Sequence, residues 1–218
     1  MFHFKEGRQM TLSRRLVLTQ LGAGAFAAGA AAQQASLLAP TPTQTEGPFY
    51  PHSPPAERDA DLTRLAGRTQ RAAGPIIEVR LRVLDRRGQP LNGARLELWQ
   101  ANAAGKYDHP GDNNAAPVDP NFQGYASLAT GPDGLARITT VKPGAYPSGR
   151  RMRTSHLHWK AAAKGRDLTT QMYFPGEALN EEDRILRGIA DPRSVIARSG
   201  PASEAGALGY DWDIVLDV

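Results

Sequence analysis

The chain has 218 residues, enough for one ordinary domain with a substantial core and too few for two large ones; with 40% hydrophobic and 22% charged residues, membrane multispan and collagen-like classes are excluded. Gly 22 and Pro 17 favour a turn-rich, short-strand protein, and the absence of cysteine removes disulfides, thiolate metal sites and Cys nucleophiles together, so any metal must sit on nitrogen and oxygen. The formal charge is +4, but Lys5, Arg8, Arg14 and Arg15 against Glu6 place three of those charges in the first fifteen residues, and no basic stripe or motif on the rest points to nucleic acid.

Ser13-Arg14-Arg15-Leu16-Val17-Leu18 precedes a weakly apolar, Ala/Gly-rich run from Leu21 to Ala32. Basic, then apolar, then small is the order of an export signal, and the paired arginines resemble the twin-arginine type. Residues 1–32 are therefore expected to direct export to the periplasm or beyond through the twin-arginine machinery. Translation could start at Met1 or Met10, and the leader could be cleaved near Ala32 or kept as an anchor, although Gly22, Gly24 and Gly29 make the run a poor span. Residues 33–75 follow as an extended segment, with Pro40, Pro42, Pro48, Pro51, Pro54 and Pro55 excluding regular structure.

The domain proper is expected over residues 76–218. Ile77, Val79, Leu81 and Val83 alternate with Glu78, Arg80 and Arg82, the period of a half-buried strand. Ala94, Leu96 and Leu98 repeat the pattern after the turn Asp85-Arg86-Arg87-Gly88-Gln89-Pro90. Further strands fit 124–129, 135–141, 155–163, 168–174 and 210–218. One short helix fits from Asn180, as N-cap, to Arg187, ending at Gly188. The fold class predicted is all-β: an antiparallel β-sandwich with long end loops and one short helix.

In Arg153-Thr154-Ser155-His156-Leu157-His158-Trp159 the two histidines occupy i and i+2 of a strand, hence one face, roughly 6 to 7 Å apart along it. They can converge on one metal ion; the same pattern also suits two hydrogen-bonded structural histidines. His3, His52 and His109 lie elsewhere, so a third imidazole needs a returning loop. Tyr107 and Tyr146 sit in glycine-containing loops after strands, positions that also suit ordinary surface tyrosines.

Five stretches in order, 96–109, 119–124, 141–147, 153–159 and 168–176, resemble the intradiol ring-cleavage dioxygenases, and among them the protocatechuate 3,4-dioxygenase β-subunit type. The resemblance implies that Tyr107, Tyr146, His156 and His158 bind a non-haem Fe(III) with a solvent hydroxide, Tyr146 and His158 being axial. A phenol with a pKa near 10 needs a strongly Lewis-acidic cation to ionise at neutral pH, hard oxygen ligands suit iron(III), and two tyrosinates with one hydroxide leave the buried centre neutral. Tyr146 is implied as ligand and proton acceptor in turn, Arg153 as the electrostatic stabiliser of the reacting ring, and Gln171 as a nearby hydrogen-bonding partner.

The activity so implied is O2-dependent cleavage of a small aromatic diol to a cis,cis-muconate-type diacid, by a chain acting alone or as a homo-oligomer. The competing expectation is an exported, non-catalytic sandwich that binds aromatics or metal. Two departures bear on loop rigidity and pocket shape: Thr154-Ser155 where relatives often have Pro-Ala or Pro-Pro, and Trp159 where Phe is common. Glu46-Gly47-Pro48-Phe49-Tyr50 resembles the family's loop at the pocket entrance, with Tyr50 either lining the pocket or packing.

Overall fold

The structure, a computed structural model, describes residues 36–218, and the export leader expected over 1–32 lies outside the described residues. Its strands are β1 (Ile76–Leu84), β2 (Arg95–Trp99), β3 (Tyr125–Ala129), β4 (Leu135–Val141), β5 (Tyr146–Ser148), β6 (Arg151–Arg153), β7 (His156–Ala163), β8 (Arg166–Tyr173), β9 (Arg198–Gly200) and β10 (Leu208–Val215). They form two four-stranded sheets, β4-β1-β10-β9 and β3-β2-β7-β8, with β5 and β6 as a separate hairpin. The alternation that predicted the strands is what closes the core. Ile77, Val79, Leu81 and Val83 of one sheet join Leu96, Leu98, Leu157 and Trp159 of the other in one buried cluster, each side chain contributing about 1.5–3 kcal/mol by leaving water.

The sandwich is the expected one, and its ladders are antiparallel apart from one: β1 pairs with β10 in parallel, Val79 opposite Tyr210 and Leu81 opposite Trp212. Before β1 the described residues, 36–75, run without regular strands. Thr41 N–H donates to Val215 O (2.9 Å) and Gln44 N–H to Thr169 O (2.8 Å), so this stretch is pinned beside β10 and then beside β8. We call residues 41–50 the strap.

The single helix predicted from Asn180 is two pieces, a 3-10 turn at Ala178–Glu181 and one α-helical turn, α1 (Arg184–Arg187). Asp183 is the N-cap, its carboxylate accepting from Ile185 N and Leu186 N. Asn180 is occupied elsewhere, its Nδ2 donating to Phe174 O (2.8 Å) and its Oδ1 accepting from Thr154 Oγ1 (2.9 Å). Gly188 closes the turn as predicted.

Candidate active site

On β7, Leu157, Trp159 and Ala161 belong to the core cluster, so the strand's period of two sends His156 and His158 to the opposite face. Both rings are fully buried there, under the strap rather than under the second sheet. A Cβ on Gly47 would stand 3.3 Å from His158 Cε1. Phe49 lies over Tyr107 with ring centroids 4.6 Å apart, and Trp99, next to His158 in the ladder, stacks on it at 4.9 Å and 17°.

The two tyrosine loops are fixed by backbone contact. Asn102 organises the first, its Oδ1 accepting from Ala104 N (2.9 Å) and Lys106 N (3.0 Å), and its backbone carbonyl accepts from Gly144 N (3.0 Å) of the second. Gly105 has φ +77° and packs so tightly that an added Cβ would lie 2.4 Å from Ala145 O and 3.3 Å from Tyr146 Cβ. Asp112 then accepts from Tyr107 N (2.8 Å), and Tyr146 opens β5, paired with Arg153 on β6.

These constraints bring Tyr107, Tyr146, His156 and His158 together. Tyr146 Oη lies 3.3 Å from His156 Nε2, which lies 3.1 Å from His158 Nε2; the two phenol rings are 5.3 Å apart, edge to face. His156 Nδ1 is 2.6 Å from the Thr154 carbonyl, which can only accept, so Nδ1 holds the proton and the Nε2 lone pair faces the cluster. Tyr107 Oη and His158 Nδ1 are buried without hydrogen-bond partners.

Burial dominates the protonation states. It pushes both phenols above their ordinary 10.0, with Arg153 opposing the rise at Tyr146. It drives His156 from 6.5 down to about 3 and His158 well below 6.5, Arg153 adding to both. The centre thus gathers two neutral phenols and two neutral imidazoles, with the Tyr107 hydroxyl and His158 Nδ1 left unpartnered. Among the described residues no three His, Asp or Glu side chains gather at ligand spacing, so a metal here draws on phenols. Two imidazoles and two phenols, turned inward with an orphaned hydroxyl, fit a hard, high-charge cation that ionises the phenols, as Fe(III) does.

Beside the cluster, Arg153 is clamped. Its Nε donates to Asp183 Oδ2 (2.7 Å) and its Nη2 to Gln171 Oε1 (2.6 Å); Nη1 has no protein partner among the described residues. Gln171 is held in turn by Tyr173 Oη, which donates to its Oε1 (2.9 Å), and by the strap, where Thr45 O accepts from Gln171 Nε2 (2.9 Å). Gln44 links the set, its Oε1 accepting from Tyr173 Oη and its Nε2 donating to Gln171 O.

Asp183, Tyr173 and Gln44 were not singled out in the sequence. Asp183 reads there as one more acid in Glu-Glu-Asp, yet it is fully buried and also accepts from Thr154 N (3.1 Å). Residues 154–155 are held by hydrogen bonds, Thr154 Oγ1 to Asn180 Oδ1 and Ser155 Oγ to Pro143 O (2.7 Å). Trp159 points into the core and leaves the pocket's shape alone. Tyr50 packs edge-on to Trp99 and donates to Glu97 Oε2 (2.6 Å). His109 stays out of the cluster, its Nδ1 accepting from Gly111 N (3.0 Å) and its ring facing Phe49 and His52.

A family model described as "Dioxygenase" matches residues 45–218. The protocatechuate 3,4-dioxygenase beta chain of Burkholderia cepacia is 43% identical over 167 residues, covering 72% of this chain and 71% of that one. Hydroxyquinol 1,2-dioxygenase of Nocardioides simplex is 33% identical over 177 residues, 74% of this chain but 55% of its own length, so the chain spans little more than half of that relative. The solved dioxygenase domain of a dioxygenase carbohydrate-binding protein fusion from Streptomyces sp. SirexAA-E superposes with TM-score 0.64 at 33% identity, covering 83% of this chain and 99% of that one.

Proposed function

The chain belongs to the intradiol ring-cleavage dioxygenase family, and from that membership we propose that it opens a catechol between its hydroxyl-bearing carbons with O2, giving a cis,cis-muconate-type diacid. The observation that carries the reading is the convergence of Tyr107, Tyr146, His156 and His158 beside a clamped arginine. Those four side chains would hold Fe(III), which when bound keeps the phenols ionised and draws catecholate electron density toward reaction with O2.

The remaining roles fall to the chain itself. Catechol must shed two protons to bind as a dianion; Tyr146 Oη, ionised while it would hold the metal, is placed to take one, and the solvent hydroxide would take the other. Burial favours its neutral form, so it keeps the proton once it has it. Arg153 offers Nη1 to oxygen atoms that gain negative charge, from a position that Asp183 and Gln171 fix before substrate arrives. Gly47 and Phe49 close the strap over His158 and Tyr107 and keep water off the ring. We extend the proposal to the leader: residues 1–32 send the chain out of the cytoplasm by the twin-arginine route.

A visible spectrum of the purified protein, before and after anaerobic catechol, tests the reading. A broad tyrosinate-to-iron band that moves to longer wavelength on addition is expected. A colourless, iron-replete protein would remove both tyrosines from the ligand set and favour a non-catalytic binding sandwich.

A further inference from the structure

Tyr146, alone of the four clustered side chains, is also a wall of an open cavity of about 430 Å³. Its other walls are Pro48 and Phe49 of the strap, residues of the loop after Tyr107, and the turn of the β5–β6 hairpin. Among the described residues, no lysine, arginine, aspartate or glutamate lines it. The charges nearby are turned elsewhere. Asp112 faces inward, accepting from Tyr107 N and lying 3.7 Å from Lys106 Nζ. Arg150 and Arg151, which follow the turn, line a separate depression with Glu181 and Glu182. Arg153 spends Nε and Nη2 on Asp183 and Gln171. The polar groups left free on the cavity wall are neutral, the Asn113 amide and the Ser148 hydroxyl.

Resting on the reading above, we infer that the substrate is a catechol whose ring carries no ionic substituent, bare or bearing a further hydroxyl, and that a ring carboxylate is selected against. This cavity meets the cluster at Tyr146, so a diol bound beside that residue would turn the far side of its ring there. A hydroxyl there finds Asn113 or Ser148, whereas a carboxylate loses the hydration on its wall-facing side and meets no cation. Specificity of this kind comes from the missing counter-charge rather than from added contacts. The preference would thus differ from what the name of the 43% identical protocatechuate relative suggests.

The test compares catechol, hydroxyquinol and protocatechuate on the iron-loaded protein at pH 8, by oxygen uptake and by anaerobic spectral titration for Kd. A kcat/KM for catechol or hydroxyquinol at least about 30-fold above that for protocatechuate is expected, with Kd values in the same order. In Ser148→Arg, which adds the absent cation, the protocatechuate-to-catechol ratio should rise about tenfold. Protocatechuate turned over as well as catechol, or a ratio indifferent to Ser148→Arg, would overturn the inference while leaving the dioxygenase reading intact. Failure to bind or turn over any diol would take down that reading and this inference with it.

Discussion

The two sheets of the sandwich carry the same alternation and put it to opposite uses. On the outer face of β4-β1-β10-β9, Arg80 and Arg82 meet Asp211 and Asp213, and Arg198 reaches Asp213, a ladder of ion pairs left in water. On the outer face of β3-β2-β7-β8 the equivalent positions hold Trp99, His156, His158, Gln171 and Tyr173, and the strap roofs them. A polar residue at every second position says only that a strand has an outer face. What that face does depends on whether another segment takes it out of water, since removing solvent is what perturbs the protonation of the histidines and tyrosines.

Changes on the roofed face should therefore cost activity, and changes on the open face should cost little of anything. The largest effect is expected for Tyr146→Phe, which keeps one phenol and both imidazoles. Oxygen uptake should fall about 10³-fold while part of the iron stays bound, and unchanged turnover would remove Tyr146 from the chemistry. Asp183→Asn comes next, retaining an acceptor for the α1 cap but losing the charge opposite Arg153. A kcat loss of about 10 to 100-fold is expected, and none beyond that of Arg153→Ala when the two are combined, because Asp183 acts through the arginine. Independent, multiplying losses would make Asp183 a fold residue only.

Gly105→Ala should destabilise by about 1–3 kcal/mol in urea melts and weaken the tyrosinate band, since its Cβ collides with the loop that carries Tyr146. Stability lost with an unaltered band would separate the loop contact from the site. Smallest is Asp211→Asn on the open face. Hydrogen bonding from Arg80 holds the Asp211 carboxyl below its ordinary 3.8. Its contribution is full above that value and lost as pH falls through the lower folded one. At neutral pH the loss should be under about 1 kcal/mol with kcat unchanged, and the variant and parent should converge in stability only once the solution is acidified below the carboxyl's lowered folded value.

Much of this was legible in the residues. The period of two located β1, β2, β4 and β7, and the i, i+2 spacing put His156 and His158 on one face, because burial on one side fixes a strand's register. The β5–β6 hairpin was missed, since three-residue strands around Pro147 and Gly149 are too short to show a period. The parallel pairing of β1 with β10 joins segments more than a hundred residues apart, which no local pattern encodes. Asp183 was hidden for the same reason, as its partners Arg153 and Thr154 are thirty and twenty-nine residues away along the chain. Whether Tyr107 and Tyr146 meet depended on glycines whose purpose appears only when two loops touch.

The strap fixes an order of events during synthesis. Thr41 is anchored to Val215, and β1 must find β10 as its parallel neighbour, so neither the roof nor the first sheet can be completed until residues 208–215 have left the ribosome. Contacts of such long sequence separation make for slow folding. The strap's bonds to β8, at Gln44 and Thr45, cover the histidines, while its outermost anchor at Thr41 has to wait for the segment made last among those described.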